Sequence, residues 1–67
     1  MMLERGRVRR IIDEKGFGFI DSDNGESVFF HAKSCPEWDA LNIGDAVEYD
    51  GKMTERGRRA TSVRKVV

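Results

Sequence analysis

Hydrophobic and polar positions alternate along most of this chain, and turn-forming residues interrupt the alternation at short intervals. The stretches "DEKG" at 13–16, "SDNG" at 22–25, "NIGD" at 42–45 and "TERG" at 54–57 carry the Gly, Asn and Asp that punctuate a fold. Between them lie five runs of strand character, at 5–12, 16–21, 27–31, 46–53 and 58–66. Five short strands joined by hairpin-length turns predict an all-β antiparallel sandwich or barrel. Asp23-Asn24-Gly25 is expected to form a tight turn, because Asn and Gly both tolerate positive φ. The link from Ala32 to Asp45 is longer and contains Pro36, which a strand ladder does not accommodate. It is read as loop throughout, including "PEWDAL".

The period of two also sorts side chains between faces. It assigns Val8, Ile11, Ile20, Val28, Phe30, Val47, Tyr49 and Val63 to the interior, with Leu41 and Cys35 capping from the long loop. Val8 and Ile11 have opposite parity, so both can face inward only if the strand carries a bulge near Arg9–Arg10. Tyr49 is expected to be a core ring whose hydroxyl reaches the barrel edge, and Cys35 a small buried hydrophobe. The same parity leaves Phe17 and Phe19 of "KGFGFI" pointing outward, with Phe29 and His31 of "VFFH". A lone phenylalanine is more often core than surface. These three, however, would compete with Ile20, Val28 and Phe30 for one small interior. Four neighbouring exposed rings form a patch that a soluble monomer seldom carries without a use. Gly16 and Gly18 flank the ring positions and mark a tight bend or a close approach of backbone or ligand.

Charge sharpens this picture. The formal net charge is zero over 67 residues, with 12 basic and 12 acidic side chains. The central segment 16–51 holds eight acids against Lys33 alone, whereas the two ends hold eleven bases against four acids. If the ends lie side by side, a basic surface opposes an acidic one. Rings interleaved with cations suit single-stranded nucleic acid, which offers flat bases on a charged backbone. Arg7, Arg9, Arg10, Lys15, Arg56 and Arg58 would neutralise phosphates beside the stacking rings.

"KGFGFI" followed by "VFFH" resembles the two ribonucleoprotein motifs of the bacterial cold shock proteins. "GRVRR" at 6–10, "NIGDAVEY" at 42–49 and "RGRRATSV" at 56–63 extend the resemblance over nearly the whole chain. The resemblance implies a five-stranded Greek-key barrel of the OB type, one domain over 1–67, that binds single-stranded RNA or DNA across its first three strands. Carried over by position, it implies base stacking on Phe17, Phe19, Phe29, His31 and Trp38. It also implies backbone contacts from Arg7 and Arg56, with Lys15 the basic residue entering the motif. An RNA chaperone or a regulator of transcription or translation is the role that follows. This chain has Arg10, Ile11 and Ile12 where the family usually has Trp, Phe and Asn, and Ala32 where it usually has Phe. Its long loop is also shorter. Fewer stacked bases at one end and a larger electrostatic share of affinity are therefore expected, since a guanidinium can stack on a base and adds charge.

Other functions fit less well. A protein-interaction barrel docking an extended or proline-rich peptide would use the same rings without needing the cations. An enzyme is not expected: the one histidine belongs to the ring row, and the acids sit singly. No Cys/His cluster has metal-ligand spacing, and no phosphate-cradling loop is present, so no cofactor or small-molecule substrate is expected. The N-terminal stretch lacks the apolar core of a signal peptide, and the single thiol suits a reducing compartment. A cytoplasmic monomer without membrane contact is the expectation, a dimer through free strand edges being the open alternative.

Overall fold

Alternation and turn chemistry locate the strands close to the positions the pattern assigns. The structure, a computed structural model, describes residues 3–66. Met1, Met2 and Val67, the outermost positions of the domain expected over 1–67, lie outside the described residues. Strand β1 runs Glu4–Ile12, β2 Phe17–Ser22, β3 Ser27–His31, β4 Ala46–Thr54 and β5 Gly57–Lys65. They close into a barrel in the order β1-β2-β3-β5-β4, with β4 pairing back onto β1. Closure gives every strand two neighbours. Four pairings are antiparallel, but β3 and β5 run parallel and meet only at Phe29–Arg59 and Phe30–Ala60. A parallel pair needs a long crossover, here supplied by residues 32–45 together with β4.

The basic ends are not side by side. Strands β1 and β5 are separated by β4 on one side of the barrel and by the β2–β3 hairpin on the other. The long link is also more ordered than a plain loop, with 3-10 turns at Ala32–Ser34 and Trp38–Ala40. Single turns of this kind are too short to leave a periodic signature.

The interior consists of Val8, Ile20, Val28, Phe30, Cys35, Leu41, Val47, Tyr49, Ala60 and Val63. Each large aliphatic or aromatic member contributes about 1.5–3 kcal/mol by leaving water. Ile11 is only half buried and packs on the rim of this cluster, one residue from the end of β1. Ala60 was not among the expected core residues. It faces Phe30 across the parallel seam, where a small side chain lets the strands approach a large ring. The Tyr49 ring is fully buried, and its buried hydroxyl lies near Ser22, Glu4, Arg58 and Glu26 at one end of the barrel. Burial pushes the phenol above its ordinary value.

The expected bulge is present: register shifts between Val8, opposite Ile20, and Arg10, opposite Phe19. At Gly18 a Cβ would stand 2.5 Å from the Arg10 carbonyl oxygen and 2.9 Å from Phe30 Cε1. The close approach there is the barrel's own backbone and core ring, not a ligand. In the turn at 22–25 only Gly25 takes positive φ, at 90°. Asn24 contributes differently, its Oδ1 accepting from the Glu26 N–H at 3.1 Å.

Candidate functional site

The β2–β3 hairpin lays its aromatic residues on one outer face because inward positions are filled by Gly18, Ile20, Val28 and Phe30. Register sets Phe19 opposite Phe29 and Phe17 opposite His31. All four rings are half buried. Phe17 meets Phe19 and Phe29 edge-on, with centroids 5.9 and 5.4 Å apart, and Phe19 lies 5.9 Å from Phe29. Such packing fixes ring orientation.

Pairing extends one of these rows across four strands. Arg10 on β1 is opposite Phe19, Phe19 opposite Phe29, and Phe29 opposite Arg59 on β5. At the usual strand spacing this row of cation, ring, ring, cation spans about 14 Å. The Arg59 guanidinium carbon sits 5.5 Å from the Phe29 centroid, within cation–π range. A cleft of about 320 Å³ lined by Arg9, Arg10, Phe19 and Ser27 lies on the β1 side. One of about 190 Å³ lined by Phe29, Thr54, Arg56, Arg58 and Arg59 lies on the β5 side. The basic residues of β1 and of β5 therefore flank the rings from opposite sides, while the two ends of the chain touch through the Arg58–Glu4 pair.

The other expected site residues are placed less uniformly. Lys15 is exposed in the turn leading into Phe17. Arg7 is exposed, but its Nη1 donates to the Gly44 carbonyl at 3.0 Å, which draws it toward the long loop. Arg9 stands 3.6 Å from Asp21, an exposed pair of little energetic weight. Arg58 is paired with Glu4 and lies 3.9 Å from Glu26, so its charge is already answered within the fold. Its Nε is buried without a hydrogen-bond partner. Trp38 lies over the core, edge-on to Phe30 with centroids 5.7 Å apart, and is half buried there. Its aromatic contact is with the inner ring and not with the outer group.

His31 has a local task as well. Its Nδ1 accepts from the Lys33 N–H at 3.1 Å and caps the 3-10 turn that follows. That bond orients the imidazole. Cys35 is buried and free, and burial raises its thiol pKa. Among the described residues no group of three or more His, Cys, Asp or Glu could hold a metal ion, and no helix is long and apolar enough to cross a membrane. Arg59 is the residue that the expected set omits. Its place beside Phe29 depends on a pairing thirty positions away, for which local alternation gives no signal.

Comparison with known proteins adds to this geometry. Residues 4–66 match the family described as the 'Cold-shock' DNA-binding domain. Cold shock protein CspC of Bacillus subtilis is 37% identical over 65 residues, covering 94% of this chain and 98% of that protein. The major cold shock protein of Streptococcus pyogenes serotype M6 is 35% identical over 66 residues, covering 96% of this chain and 98% of that one. Among solved structures, drosophila Unr CSD456 aligns with a TM-score of 0.78 at 23% identity. That likeness is one of fold, and it covers 98% of this chain but 27% of the other.

Proposed function

This chain belongs to the 'Cold-shock' DNA-binding domain family, and from that premise we propose that it binds single-stranded RNA or DNA on the outer face of β1–β3. The family is one of nucleic-acid-binding, non-catalytic proteins. Bases stack on Phe17, Phe19, Phe29 and His31, each stacked base contributing roughly 1–3 kcal/mol. Lys15, Arg56 and Arg59 neutralise phosphates along the same path, and Arg10 adds its charge beside Phe19. The strand cannot pair with its complement while its bases lie on these rings, so binding disfavours re-pairing by mass action. This is the work of an RNA chaperone or a regulator of transcription or translation, and it needs no nucleotide hydrolysis. In this reading residues 1–67 act as one domain, a cytoplasmic monomer.

The observation that carries the proposal is the row Arg10, Phe19, Phe29, Arg59, with rings between cations. A peptide-docking barrel would have no use for charge at both ends of its apolar seat. Titration with short oligonucleotides of both sugar types, followed by Trp38 fluorescence and by anisotropy of a labelled strand at two salt concentrations, tests it. Binding should weaken steeply as salt rises. Salt-insensitive capture of an extended peptide, with no binding to unpaired strands at low salt, would overturn it.

A further inference from the structure

The bulge in β1 gives this chain a feature that regular alternation would not. It turns two consecutive arginines, Arg9 and Arg10, to the outer surface, where a straight strand would send one of them inward. Both line the cleft beside Phe19, whose far side carries Ser27. Arg9 is balanced by Asp21 at 3.6 Å, whereas Arg10 has no ion-pair or hydrogen-bond partner among the described residues. Arg10 is also the direct cross-strand neighbour of Phe19, one strand spacing of about 4.8 Å away.

We propose that Arg10 and Phe19 form a base-reading subsite that selects guanine. The inference rests on the single-strand reading above and supplies its base preference. A base stacked on Phe19 presents an edge toward β1, where Arg10 offers a planar fork of N–H donors. Guanine answers with two adjacent acceptors, O6 and N7, and no donor between them. Adenine sets its N6 amino donors beside N7, which leaves one arm of the fork facing hydrogens. Uracil sets its N3–H donor between O2 and O4, which leaves the fork no pair of adjacent acceptors. The Phe17 and His31 rings offer π-faces, which accept every base alike. The Arg59 guanidinium lies over the Phe29 ring in cation–π contact, so among the described residues Arg10 is the fork left unengaged beside a ring.

The test compares a uridine hexamer with hexamers carrying one G, one A or one C at each position in turn. The titrations use the whole chain as it stands and the R10K variant, which keeps the charge and loses the fork. One position should favour G over A by roughly 5- to 150-fold in affinity, the span of one bidentate contact. R10K should abolish that advantage, so that the G, A and C hexamers bind it alike. Equal affinity for all hexamers, or a C substitution as good as G, overturns the inference and leaves single-strand binding intact. So does a guanine advantage that R10K retains. A smaller salt slope in R10A with base preference unchanged would mean that Arg10 holds phosphate, and it overturns the inference. Failure of every hexamer to bind would instead sink the single-strand reading itself.

Discussion

Phe29 and Phe30 are adjacent in sequence, yet one side chain is half exposed and the other fully buried. Substitution should separate their tasks. F30A should cost about 3–5 kcal/mol of stability, the usual loss for a truncated core ring. F29A should leave the urea midpoint much nearer its original value and cost about 1–3 kcal/mol of single-strand affinity. F17A and F19A should behave like F29A, and loss of folding in any of the three would mean that those rings are structural. This division of labour was legible in the sequence because a strand's period of two assigns each ring a face without knowledge of the rest of the fold. The place of Arg59 beside Phe29 and the second task of His31 were not legible. The first depends on which distant strand lies next to β3, and the second on a 3-10 turn that only the folded loop creates.

Strand β1 had to bend if Val8 and Ile11 were both to approach the core, and opposite parity alone located the bulge. What parity could not supply was the degree of burial, and Ile11 stops at the rim. The partner strand carries the complementary constraint. Gly18 lies where a methyl group would collide with the β1 backbone at Arg10 and with the Phe30 ring. G18A should therefore lower stability by about 1–3 kcal/mol through overpacking, although alanine is ordinarily the better strand residue. Urea denaturation would read the change, and an unchanged midpoint would show that β1 and β2 can part at no cost. The same substitution should also disturb the Arg10–Phe19 neighbourhood, so a parallel fall in affinity is expected.

Over the whole molecule, the summed charge of zero hides an uneven distribution of free cations. Arg5 is paired with Glu48, Arg58 with Glu4, and Lys65 with Asp45. If four of the remaining cations meet phosphates, the slope of log affinity against log salt should be about −3. K15A or R56A should each reduce its magnitude by about 0.7. R58A should change it less, since Glu4 already answers that charge. Sequence revealed the segregation of charge but not its internal pairing, which barrel closure decides. Acid should test another of these links. The Asn42 N–H and, after it, the Lys65 ammonium hold the Asp45 carboxyl below its ordinary value. An unfolded Asp titrates near 3.9, so below roughly pH 4 the unfolded chain takes up this proton first and stability is lost. Thermal midpoints of the original chain and of D45N, followed downward from about pH 5, should show a steeper decline in the original. The parallel seam has a further consequence. The barrel is latched by two residue pairs, and one of them, Phe29–Arg59, belongs to the row of rings and cations. Breathing of that latch should be the easiest opening available to the closed sheet, and an oligonucleotide lying across it should quiet the motion. Deuterium uptake at the Arg59 and Ala60 amides should slow on loading, while uptake in the long β4–β5 ladder barely changes.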